Sequence, residues 1–197
     1  NDPEAKATLA LCQKMLPFLH EGKPALAAAL DKEEKELFRQ LQLLTSKPIL
    51  YVCNVSEEEA VSGNAHTEAV KNYAAGVGAG VVVVSAAIEA EVAAIESPEE
   101  QLQYLEVLGL KETGLKRVIA EGYRMLDLIT FFTVGPKEAR AWTTHRGAKA
   151  PEAAGEIHSD FERGFICAET ISYEDYVACQ GEAGAKAQGK LWQEGRD

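Results

Sequence analysis

Hydrophobic residues change their spacing twice along the chain, and the changes divide it into three parts. Between residues 3 and 21, Leu9, Cys12, Leu16 and Leu19 fall on one helical stripe, and Pro17 is expected to kink or stop that helix. A second helix is better marked: Asp31 and Glu34 have the spacing of a capping box, and Leu37, Leu41 and Leu44 repeat at i, i+4 and i+7. Two short helices with one apolar stripe each need a partner. As an arm, they are expected to cover a surface that this chain does not wholly contain.

From Pro48 the period is lost. Ile49 to Val55 is a continuous apolar run of strand length, and Gly80 to Ser85 is another, both as expected of parallel strands buried on two faces. A helix from about Asn64 to Ala75 separates them, and a further helix begins near Ala87. The strand-helix-strand-helix order predicts part of an open α/β sheet, in which ligands bind beyond the carboxyl ends of the strands. The residues at those ends are Asn54 to Glu57 and Ser85 to Ala87. Ser97-Pro98-Glu99-Glu100 then starts a helix that Gly109 stops, and Leu115, Val118, Ile119, Gly122 and Leu126 mark one face of the next. Beyond Asp127 the texture becomes that of a small α+β module, with strands at 128–134, 139–144 and 164–171 and a Gly135-Pro136 turn.

Composition narrows the function. The chain has 197 residues, 46% of them apolar, which suffices for one or two domains with a core. Its net charge is −11, and the last 70 residues hold eight basic against eleven acidic side chains. Broad neutralisation of nucleic-acid phosphates, and DNA-specific binding with it, is therefore not expected, although a small local patch is compatible with the balance. No stretch approaches the roughly 20 apolar residues of a membrane span, and Asn1-Asp2-Pro3-Glu4 does not resemble a signal peptide. The expectation is a cytoplasmic protein without membrane contact. Cys12, Cys53, Cys167 and Cys179 are far apart and read as free thiols, and His20, His66, His145 and His158 lack metal-ligand spacing.

Two glycine motifs are decoys. Gly76-Val77-Gly78-Ala79-Gly80 precedes a strand instead of linking a strand to a helix, so it offers a phosphate no helix N-terminus. Gly184 to Lys190 fits GxxxxGK until Leu191 occupies the place of the magnesium-binding Ser or Thr. The run Glu57-Glu58-Glu59 is by default a solvated helix start. Glu57 has a second claim, because an amide at Asn54 and a carboxylate three residues later can both reach the edge of a purine.

With those residues on the page, Lys47 to Glu57 closely resembles the base-recognition segment of the YchF, or Obg-like ATPase, family of P-loop NTPases, where NxxE replaces the NKxD of ordinary GTPases. Ser85-Ala86-Ala87-Ile88-Glu89-Ala90-Glu91 resembles the loop that follows in that family. Phe131 to Thr143, together with Lys149 to Ile166, is similar to its C-terminal TGS domain, a ubiquitin-like β-grasp. The resemblance implies a fold of α/β plus α+β class: a partial helical arm (1–46), the distal part of a nucleotide-binding domain with a parallel sheet (47–127), and a TGS-like domain lacking its last strands (128–197). No usable P-loop, switch threonine or DxxG segment is present, so the chain looks like a fragment that supplies base recognition and not phosphate chemistry.

The resemblance further implies base contacts from Asn54, Val55, Glu57, Ser85, Ala86 and Ala87, and binding of ATP, often with GTP as well. Magnesium would accompany the nucleotide, its ligands lying outside this chain. The aspartate of NKxD accepts from guanine N1–H and the exocyclic amine; adenine has no N1–H, and the extra methylene of Glu57 displaces the carboxylate. Val55 replaces the lysine whose stem covers the base. The leading expectation is an ATP/GTP hydrolase that acts as a translation-associated switch with ribosome or RNA as partner, this piece alone being inactive. The alternative is a non-enzymatic module binding ribosome, RNA or protein regardless of nucleotide. Arg140, Arg146, Lys149 and Arg163 are the candidate partner contacts, expected to form one small patch when the β-grasp folds.

Overall fold

The computed structural model describes residues 2–196, which divide into one unit ending at Met125 and another beginning at Leu126. The first unit opens with α1 (Pro3–His20) and α2 (Lys32–Gln40). Asp2 caps α1 by accepting from the Glu4 N–H at 3.0 Å. The Asp31/Glu34 capping box forms in both directions, at 2.8 and 3.0 Å. Pro17 does not stop α1, which runs one more turn to His20. The buried face also differs from the expected stripe: Leu11 and Met15 are 2% exposed, whereas Leu9, Leu16 and Leu19 face solvent. Packing chose the neighbouring stripe because Ala25, Ala28 and Phe38 close over Leu11 and Met15, with Phe18 beside them. That cluster is a small core of its own.

A parallel pair follows, β1 (Leu50–Asn54) and β2 (Gly80–Val84), registered from Leu50 opposite Gly80 to Asn54 opposite Val84. Between them runs α3 (Ala65–Val77), started by a reciprocal Asn64/Thr67 capping box and ended by Gly78 at φ +69°. The glycine-rich decoy is thus a left-handed helix stop. Burial on both faces, expected of the strands, is met at Val82 but not at Val52, which is half exposed. Among the described residues this sheet has only two strands, so each is an edge and the flanking helices cover it incompletely.

Helices α4 (Ala86–Ala94), α5 (Pro98–Val107) and α6 (Gly114–Met125) complete the unit. Gly109, at φ +74°, ends α5 as expected. Ile88, Val92 and Leu105 join Ala60 and Leu110 in a second core. On α6 the apolar stripe read from the sequence stays largely outside: Leu115, Ile119 and Leu126 are exposed. The strand side instead carries Gly114 against Val84, and Glu121 and Met125 against Gly80. A Cβ at Gly114 would lie 2.8 Å from the Val84 side chain, so close approach of backbone to strand fixes which face packs.

The α4–α5 contact includes a hydrogen bond from the Tyr104 hydroxyl to the Glu91 carboxylate. That bond, more than burial, pushes the Tyr104 pKa up to about 12. A folded-state pKa above the unfolded value of about 10 means that the stabilisation is present below about pH 10 and lost as pH rises through 12. In an ultraviolet titration Tyr104 should ionise only as pH approaches about 12. Glu91→Gln should lower that pH; a Tyr104 transition that the substitution leaves unmoved would contradict the contact.

The second unit starts with an antiparallel hairpin, β3 (Leu128–Val134) and β4 (Ala139–His145), closed by the Gly135 N–H donating to the Glu138 carbonyl at 2.9 Å. Helices α7 (Ala150–Ile157) and α8 (Ser159–Arg163) follow. Then come β5 (Ala168–Thr170), α9 (Tyr173–Ala178), α10 (Glu182–Ala187) and β6 (Trp192–Glu194). The strand expected over 164–171 is reduced to three residues. The single sheet of a β-grasp is not formed among the described residues: β3 pairs with β4 and β5 with β6, as separate ladders. Gly184 of the second decoy sits inside α10, where a Cβ would overlap the Cys179 carbonyl.

Candidate functional site

Parallel pairing brings the ends of β1 and β2 together. The Val55 N–H donates to the Val84 carbonyl at 2.9 Å, extending the ladder one residue past the strand end. Beyond it the Asn54 side-chain oxygen accepts the Ala86 N–H at 2.9 Å, tying two loops 32 residues apart. Four sequence-predicted residues, Asn54, Val55, Ser85 and Ala86, are therefore one local structure. Asn54, Ala86 and Ala87 are exposed, while Ser85 is 2% exposed and its hydroxyl has no hydrogen-bond partner. A buried hydroxyl left unpaired costs free energy.

The loop is held from below. Ser85 is the N-cap of α4, whose Glu89 N–H bonds back to the Ser85 carbonyl. Ile88, one turn in, is 1% exposed in the core. Glu89 turns its carboxylate to the start of α6, accepting from the Gly114 and Leu115 N–H groups at 2.5 and 3.0 Å. This arrangement satisfies two of the orphan donors of α6 and places a negative charge at its positive end. The sequence carried no local signal for it, because donor and acceptor are 25 residues apart.

Glu57 is exposed. Its neighbour Glu59 organises the turn instead. The Asn64 amide and the Ser56 hydroxyl hold the Glu59 carboxyl below its ordinary range, the Ser56 Oγ lying 3.0 Å from it. A cleft of about 350 Å³ reaches Asn54 and Val55 and is walled by Tyr51, His66 and Val70; it does not extend to Glu57 or Ser85. Among the described residues no three His, Cys, Asp or Glu side chains converge as metal ligands.

Of the four basic candidates, Arg140 and Arg146 lie toward opposite ends of one strand. Arg140, at the start of β4, stacks over the Trp142 ring at 4.1 Å. Arg146 lies past the other end, about 20 Å away by strand rise, and its Nε is 3.2 Å from Asp127. Lys149 precedes α7, its backbone N–H held by Glu152 at 2.8 Å. Arg163 closes α8, and its carbonyl accepts from Arg196 at 3.1 Å. Among the described residues no helix is long and apolar enough to cross a membrane.

Residues 128–197 match the family model described as YchF-GTPase_C, protein of unknown function (DUF933). The whole chain aligns with the "Ribosome-binding ATPase YchF" of Bacillus subtilis at 49% identity, covering 54% of that protein. It aligns with the protein of the same name from Escherichia coli O157:H7 at 48%, covering 53%. The fold superposes on the Schizosaccharomyces pombe YchF GTPase with a TM-score of 0.81 at 32% identity, over all of this chain and 53% of that one. The chain spans about half the length of the curated relatives it matches.

Proposed function

The chain belongs to the YchF family, and from that premise we propose that it supplies the base-reading part of an ATP/GTP-hydrolysing, translation-associated switch whose partner is the ribosome. The observation that carries this reading is the Asn54–Ala86 bond, which fixes the two strand-end loops as one site. With its oxygen committed to Ala86, the Asn54 amide keeps two N–H donors, and a purine N7 is the acceptor they suit. The Ala87 N–H, in the first turn of α4 and outside its ladder, and the unpartnered Ser85 hydroxyl are further polar groups for the base edge. Val55 contributes an apolar side chain where NKxD proteins cover the base with a lysine stem. Glu57, three residues on and exposed, has room to turn toward the base, and its longer reach disfavours the bidentate grip on guanine.

These residues orient a base and nothing more. Phosphate positioning and charge stabilisation make up nearly all of phosphoryl-transfer catalysis, and this chain contributes neither. The second unit carries the TGS-like sequence and is assigned the partner contact. The separate placements of Arg140 and Arg146 make them two contacts instead of one patch, so neutralising Arg140 and Arg146 singly should each lower ribosome association and each flatten its salt dependence by about one phosphate's worth, roughly 0.7–0.9 in log–log slope.

The test is nucleotide affinity in the whole protein with Asn54→Ala. Losing the tie to Ala86 and both donors should weaken ATP and GTP alike by about ten- to a hundredfold, since each polar group left unpaired is worth about 1–3 kcal/mol. The isolated 197-residue chain should show no magnesium-dependent turnover. Unchanged affinity in Asn54→Ala would remove the site from these loops, and ribosome binding indifferent to nucleotide would favour the non-enzymatic module.

A further inference from the structure

The nucleotide reading leaves unused a cleft of about 470 Å³ on the first unit. Val81, Val82 and Val83 line it, together with Lys71 of α3 and Arg117 and Arg124 of α6. Gly80 donates to the Ile49 carbonyl and Val84 accepts from Val55, both at 2.9 Å, so the even-numbered residues of β2 turn their polar groups toward β1. Bonding alternates along a parallel strand, and Val81 and Val83 therefore direct two N–H and two C=O groups to the other side. No strand pairs there among the described residues. Gly80–Val84 also lacks the proline or lysine by which edge strands discourage pairing.

Charge identifies the occupant. Glu121 is held by Arg124 at 2.8 Å, Glu112 by Lys116 at 3.5 Å, and Lys71 by Glu68 at 2.6 Å. Arg117 is left over: its Nε is buried and has no hydrogen-bond partner. A guanidinium N–H in that condition is satisfied best by a carboxylate. The strand of a second copy pairing through the same edge is glycine and valine only and offers Arg117 no carboxylate of its own.

We propose that the outer edge of β2 binds an extended, acidic peptide segment of a partner protein, which adds as a strand along Val81 and Val83 and sets a carboxylate on Arg117. Main-chain bonds supply affinity, and Arg117 selects for acidic side chains. The occupant leaves the strand-end loops free, so this contact is independent of nucleotide.

The probe is an acetylated and amidated peptide of alternating valine and glutamate, titrated into the isotope-labelled chain and followed by amide resonances. Binding should move Val81 and Val83 more than Gly80 and Val82. Arg117→Met should weaken it tenfold or more, as should Val81→Pro, which removes an outward N–H together with the Val81 side chain. A valine–threonine peptide, tested on the unsubstituted chain, should bind at least tenfold more weakly and keeps the proposal falsifiable should either variant misfold. Equal affinity for the two peptides, unchanged affinity in Arg117→Met, or a concentration-dependent dimer that protects Val81 and Val83 would overturn it.

Discussion

Ile88→Ala should lower the unfolding free energy by about 2–5 kcal/mol, the range for truncating a buried isoleucine in a close-packed core. Ile88 is 1% exposed and meets Ala60, Val92, Leu105 and Leu110. Two small alanines at Ala60 and at the substituted position would leave a cavity that α4 and α5 cannot collapse into without moving Ala86 and Glu89 off their partners. Ile88→Val should cost only about 0.5–1.5 kcal/mol. Urea denaturation of the chain measures both. A loss below 1 kcal/mol in the alanine variant would mean that this cluster does not position α4, and with it the loop that Asn54 grips.

In the whole protein, Val55→Lys combined with Glu57→Asp should move nucleotide preference toward GTP by tens-fold. The shorter carboxylate regains the reach for guanine N1–H and the exocyclic amine, and the lysine stem covers the base. One polar group paired or left unpaired is worth about 1–3 kcal/mol, which sets that magnitude. Neither substitution disturbs the scaffold: Glu57 is exposed, and Val55 enters the ladder through its backbone N–H, which lysine retains. Competition binding of ATP against GTP gives the ratio. An unchanged ratio in a folded double variant would mean that base reading lies elsewhere.

The sequence by itself determined the features that depend on near neighbours. The capping residues Asp31 and Ser97, the left-handed stop at Gly109, and the order of strand and helix all act within a few residues, and each sits where its pattern puts it. The strand ends could be identified for the same reason, since a parallel strand-helix-strand unit must bring Asn54 and Ser85 to one edge of the sheet. Which face of a helix becomes the interior was decided by tertiary structure. On α1 the stripe of Leu11 and Met15 won over that of Leu9 and Leu16, and on α6 Gly114 and Met125 won over Leu115 and Ile119. An amphipathic pattern with two adjacent apolar stripes is degenerate by about one residue's rotation, and only the partner that closes over it breaks the tie. The Glu89 cap on α6 and the separation of Arg140 from Arg146 belong to the same class: both depend on distances across the fold, which spacing along the chain does not encode.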